Sequence, residues 1–292
     1  MKLNALLKTL GFLALAATPV VAGTAPAPKN PIAPAPVNDD LGITASLGYD
    51  TNYVWRGLNF GQHAVTAGLA GSLLLAEGTS LNWDATYMSL AGDQDHFAGA
   101  DTNASYERLI LGAALAHNFG GVDLSLGYRY YRNMGGLNTS GQMNDGQEVF
   151  LGAATALGPI NLTSSANYDF ANDSWYADLG ASSTIAVTDA ISVVPFATIG
   201  YGHNMNWQFA RNGGGTGTGV TSGWNRNNVS NFTAVTAGLR FPIKLNSRAT
   251  LTPYIAVNMP MSGVQNLPIN SNVADNAYST VVYGGVTLSV RF

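Results

Sequence analysis

From Leu41 onward the chain alternates. Odd positions read Leu41, Ile43, Ala45, Leu47, Tyr49, Thr51, Tyr53, Trp55, and even positions read Gly42, Thr44, Ser46, Gly48, Asp50, Asn52, Val54, Arg56. A period of two over this length predicts a strand with one apolar and one polar face, longer than the usual soluble strand of about 5–6 residues. The pattern returns at 79–90, 122–131, 160–170, 174–187 and 280–292. Weaker runs at 65–76, 105–117, 148–157, 191–201, 231–243 and 249–259 complete a set of twelve. Runs 148–157 and 191–201 are apolar on both faces, which leaves their register open.

The connections alternate as well. Those at 77–79, 118–121, 158–159, 188–190 and 244–248 are short, whereas 91–104, 133–147, 202–230 and 260–278 are long. The connections at 57–64 and 171–173 fall on the long side but are brief. Short turns on one rim and longer loops on the other predict an all-β fold: a transmembrane, antiparallel, up-and-down β-barrel of about 12 strands with periplasmic turns and extracellular loops. Only closed structures satisfy the backbone inside lipid.

The aromatic residues provide a second test. With strand one running outward, outward-pointing Tyr53, Trp55, Tyr87, Tyr128, Tyr130, Tyr168, Phe170, Trp175 and Tyr201 all fall at the long-loop rim. Phe119, Phe241 and Phe292 fall at or near the other. Girdles of this kind mark the two membrane interfaces. The competing fold, a soluble all-β sandwich with a core of aromatics, gives no reason for such sorting.

Composition agrees. Charged residues are 10% of the 292, against about 25% in soluble domains, and 34 glycines and no cysteine are present. Lacking cysteine, the chain has no disulfide or thiolate metal site. Lys2 and Lys8, the run LGFLALAA and the small residues Val20 and Ala22 predict an export signal at 1–22, too short to span a bilayer as a helix. Its removal takes the net charge from −4 to about −6, which disfavours nucleic acid. Residues 23–40, rich in Pro and Ala, read as a semi-rigid periplasmic linker preceding a barrel at 41–292.

The polar face carries Asp50, Arg56, Asp84, Arg108, Asp123, Arg129, Asp169, Asp178, Arg240 and Arg291. Two readings are open: a charged lining across a narrow pore, or ion pairs that staple the wall and plug it. Twelve strands lie between barrels filled by side chains and those that hold a channel. Gly42, Gly48, Gly112, Gly127 and Gly180 leave room inside. Loop 202–230, with Trp207, Arg211, Trp224 and Arg226, is the main candidate to fold in as a constriction, or else is a surface loop.

Catalytic groups are sparse. A lipid hydrolase needs Ser, His and an orienting group on the lipid face, and no serine is placed facing His63, His96, His117 or His203. Asp93, Asp95, His96 and Asp101 could hold a hard cation, but the spacing lacks an EF-hand's Gly and final Glu. No metal or cofactor is expected.

The segment SLGYDTNYVWRGLNFGQHAVTAGLAGSL resembles the start of the TorF-type porins, a family of small bacterial outer-membrane proteins. The shared feature is a strand ending in a Tyr-aromatic-Arg-Gly turn, here Tyr53, Val54, Trp55, Arg56 and Gly57. The terminal VTLSVRF looks like the signal, ending in Phe292, by which barrels reach the assembly machinery. The resemblance implies an outer-membrane protein, surrounded by lipid, that passes small polar solutes. The alternatives are a closed barrel presenting loops for adhesion or partner binding, and the hydrolase.

Overall fold

The computed structural model describes residues 41–91, 106–134, 145–171, 173–205, 229–262 and 279–292. Its strands are β1 (Ile43–Trp55), β2 (Leu58–Ala76), β3 (Thr79–Leu90), β4 (Glu107–Asn118), β5 (Val122–Met134), β6 (Gly146–Leu157) and β7 (Ile160–Asp169). They continue with β8 (Ser174–Ser183), β9 (Ile185–Ala186), β10 (Ser192–Met205), β11 (Val229–Arg240), β12 (Ile243–Lys244), β13 (Ala249–Pro260) and β14 (Val281–Arg291). The two-residue pieces β9 and β12 continue β8 and β11, so the wall has twelve strands.

Each wall strand pairs antiparallel with its chain neighbours, and β1 pairs with β14 from Thr44↔Arg291 to Asp50↔Gly285. The sheet is therefore closed, with no free edge. The registers keep one side-chain phase on each face. Leu47, Leu69, Leu81, Leu111, Leu126, Leu151, Ile160, Leu179, Tyr201, Leu239, Ile255 and Val282 lie exposed on the outside, one on each wall strand. Isolated exposed leucines are ordinary, but an apolar band around the whole circumference is not the surface of a soluble protein. It is the exterior of a barrel set in hydrocarbon.

The interior phase is mostly small or polar towards the short-turn end, with Val194, Phe196 and Arg240 among the larger exceptions. Thr44, Ser46 and Gly48 of β1 oppose Ala70, Gly68 and Thr66 of β2. Ser125, Thr163, Ser182, Thr250 and Thr287 hold the same phase on other strands. The turns at this rim use local chemistry: Asn118 Oδ1 accepts the N–H of Gly120 at 3.1 Å and of Gly121 at 3.3 Å. Asn246 does the same for Arg248 and Ala249, both at 2.8 Å.

At the opposite rim the β1–β2 connection is not a loop. Residues 57–64, read from the sequence as a connection, are mostly strand, because β2 begins at Leu58 and the turn is Arg56–Gly57 alone. Both turn residues have positive φ, +52° and +94°, the geometry of a tight hairpin.

Candidate functional site: a hairpin inside the barrel

From Tyr53 to Gly61 every residue except Arg56 is buried, so neither face of the hairpin tip meets solvent or lipid. The wall alternation ends at a bulge. Asn52 pairs with Gln62 and Tyr53 with Gly61, but Val54 pairs with Asn59, leaving Phe60 extra. Gly61 and His63 hold positive φ on the same strand. Such a bulge bends a ribbon and re-aims its side chains. Here it turns the tip off the wall and into the lumen.

The tip then meets strands around the far wall. Arg56 forms an ion pair with Glu148 of β6 (Nη1–Oε1 2.7 Å), and its Nη2 donates to Oε2 at 2.8 Å. Its guanidinium lies 4.4 Å from the ring centroids of both Trp55 and Tyr176 of β8. Asn258 of β13 donates to the Gly57 carbonyl at 2.9 Å. Gly57 sits so close to β11 that an added Cβ would fall 2.7 Å from that of Ala234. Trp55 packs edge-on to Tyr131 of β5 and beneath Arg108 of β4, whose guanidinium is 4.4 Å from the indole. Trp55, Tyr53, Leu58, Arg108, Tyr131, Glu148, Thr233 and Asn258 are all fully buried, so together they form a dry layer.

Each charge in this layer has a reason to stay. Tyr131 donates to Glu148 Oε2 at 2.9 Å, and Arg129 donates to the Tyr131 hydroxyl at 3.3 Å. Arg108 donates to Asn133 Oδ1 at 2.9 Å and to the Tyr53 hydroxyl at 3.4 Å. Cation–ring contacts of this kind contribute about 0.5–2 kcal/mol each. A buried ion pair by itself is weak support for stability, but it fixes where the tip docks.

Two residues assigned to the outer girdle are thereby corrected. Tyr53 and Trp55, expected to face lipid, are 0% and 2% exposed and lie inside the barrel. Their strand phase points outward as far as Tyr49 and Thr51, and the bulge then carries the tip inward. The other girdle residues are on the outer face: Tyr87, Tyr128, Phe170, Trp175 and Tyr201 are exposed, and Tyr130 and Tyr168 are half-buried. Proteins retaining a single tryptophan separate the two groups. Brominated lipid is expected to quench Trp175 strongly and to leave Trp55 almost untouched; equal quenching would put Trp55 on the outside.

The expected lining charges all face inward, at different depths. Asp50 accepts the Tyr254 hydroxyl at 2.7 Å, below the tip. Asp84 lies against Gly112, and Asp178 accepts from Ser165 at 2.6 Å. Asp169 accepts the Ala171 N–H at 2.9 Å near the long-loop rim. Asp123, accepting from Asn118 at 2.7 Å, and Arg240, 4.0 Å from the Phe196 ring, are at the short-turn end. Arg291 is exposed at the same rim, and Phe292, also exposed, donates its N–H to Ile43. The structure brings together Arg56, Arg108 and Arg129. Their acidic centre, Glu148, was not singled out from the sequence, nor were Tyr131 and Tyr176 around the pair or Asn258 on the Gly57 carbonyl.

No family model matches the chain, and no curated protein does. Among solved structures, the KdgM porin is 8% identical with a TM-score of 0.45, over 85% of this chain and 99% of that one. LpxR from Salmonella typhimurium is 7% identical with a TM-score of 0.43, over 85% of this chain and 100% of that one. The translocator domain of the autotransporter NalP from Neisseria meningitidis is 13% identical with a TM-score of 0.45, over 87% and 90%. Likenesses of this depth carry no argument about what the chain does.

The histidines need a separate account. Ser230 shares a 2.9 Å hydrogen bond with His203 Nδ1, a facing serine that the sequence had not supplied. Ser230 Oγ also accepts the Asn204 N–H at 3.1 Å, where β10 is irregular, so the serine caps a bulge. Among the described residues no acid orients that imidazole. His63 bonds Tyr49 at 2.6 Å and His117 bonds Thr79 at 2.7 Å. Loop 202–230, read as a constriction or a surface loop, falls largely outside the described residues, and the candidate cation ligands at 93–101 fall wholly outside them.

Proposed function

We propose that the chain is a porin-like barrel of the outer membrane, a passage for ions or small polar solutes closed near its long-loop end by the β1–β2 hairpin. One observation carries this reading. A hairpin tip crosses the lumen, and below it most inward side chains are Gly, Ala, Ser and Thr, with Phe196, Arg240, Tyr254 and Tyr283 among the larger exceptions, a lining that occupies little of a twelve-stranded barrel. Conduction then requires the tip to withdraw or shift. The resemblance of residues 46–73 to TorF-type porins supports the same reading, because the five residues that carry it form the tip. Export through residues 1–22, a periplasmic linker at 23–40, periplasmic short turns and delivery by the assembly machinery through Phe292 complete the proposal.

Planar-bilayer recordings test it. The intact protein is expected to show rare, small steps. A variant with residues 53–60 replaced by a short turn, verified as folded by circular dichroism, should conduct steadily. Silence from both at high protein load would overturn the passage. The full burial of the residues in the dry layer favours a second reading, a permanently closed barrel that presents its loops to a partner, and that silence would support it.

A further inference from the structure

The contacts around Arg56 divide unequally between tip and wall. Trp55 travels with the hairpin, but Glu148, Tyr131 and Tyr176 belong to β6, β5 and β8. The wall alone therefore supplies a carboxylate presenting both oxygens, a hydroxyl that holds it at 2.9 Å, and a ring face 4.4 Å from the guanidinium carbon. A planar cation with two parallel N–H groups matches such a fork, whereas an ammonium offers a point charge without the plane. Arg129, opposite Glu148 in the β5–β6 register, could have taken the fork but donates to Tyr131 instead. Asn258 fixes the chain on the other side of the turn, so the guanidinium is presented to the slot by a tether rather than by its own strand.

We infer that this wall slot is a binding site for guanidinium-bearing solutes, and that Arg56 is its tethered occupant. The ligand class follows from the slot. Its effect on opening rests on the reading of the hairpin as the closure: a free guanidinium group that takes Glu148 removes the pair that docks the tip. A tethered occupant enjoys a high effective concentration, so the free group acts at millimolar levels or above.

Chemical rescue tests the slot. Arg56→Ala should lower the unfolding midpoint in detergent. Methylguanidinium at tenfold excess over its dissociation constant should raise that midpoint by roughly 3–6 °C by linkage. Tetramethylammonium at the same ionic strength should not, and adding Glu148→Gln should abolish the response. Arg56→Gln, which is neutral and leaves the carboxylate free, serves if Arg56→Ala does not fold, with the same rescue expected. Equal responses to both cations, or a response that survives Glu148→Gln, overturns the site. The two readings fail separately. A rescued protein that stays silent in bilayers sinks the passage and keeps the slot. A conducting barrel that ignores methylguanidinium does the reverse.

Discussion

Truncating Glu148 to alanine is expected to destabilise the barrel by about 3–5 kcal/mol, the usual cost of leaving one member of a buried pair behind. The loss is compound. Arg56 keeps its charge in a layer where Glu148 was fully buried, and the Tyr131 hydroxyl loses its acceptor. The tip has less reason to stay docked, so steady conductance in bilayers should accompany the lower midpoint. Removing both charges at once, as Glu148→Leu with Arg56→Met, should restore most of the stability, because two apolar groups need no partner. Denaturant titration in micelles measures both variants. Glu148→Ala within about 1 kcal/mol of the parent would show that the pair is incidental to the fold.

The second large effect is expected at Gly57. Its φ of +94° costs a residue with a Cβ about 1–2 kcal/mol. The added carbon would also meet Ala234 at 2.7 Å and the Thr233 backbone at 3.3 Å, an overpacking worth about 1–3 kcal/mol. Gly57→Ala should therefore cost roughly 2–5 kcal/mol and push the turn away from β11, stretching the bond from Asn258. Gly120→Ala is the control. Its φ is +73°, but nothing lies within 4 Å, so only the backbone cost of about 1–2 kcal/mol applies. Equal losses from the two variants would mean that the tip does not touch the far wall.

The cylinder was legible because a two-faced wall writes itself as a period of two. Leu47, Leu126 and Leu179 alternate with Gly48, Gly127 and Gly180, and no helix period competes. The plug was not legible for the same reason. The alternation runs unbroken through Tyr53 and Trp55, while the bulge that redirects them depends on an extra residue, Phe60, on the partner strand. A single strand's pattern does not record a mismatch with its neighbour. Glu148 was hidden differently. Val149, Leu151 and Ala153 on one phase of β6 face Phe150, Gly152 and Ala154 on the other, so hydropathy gave no phase to place it in. Position 148 carries the only acid in that run, and a lone charge in a strand apolar on both faces is a signal that a buried counter-charge waits elsewhere.

The seam between β1 and β14 gives assembly a chronology. Gly284 bonds Thr51 across 233 positions, whereas Arg56 reaches Glu148 across only 92. Closing the longer span sacrifices more chain freedom and comes more slowly. On loop-closure entropy alone, the first ribbon is expected to catch the middle of the polypeptide before the last strand arrives, serving as a mandrel about which the remaining sheet rolls. A tip that cannot grip would leave two raw margins searching for each other.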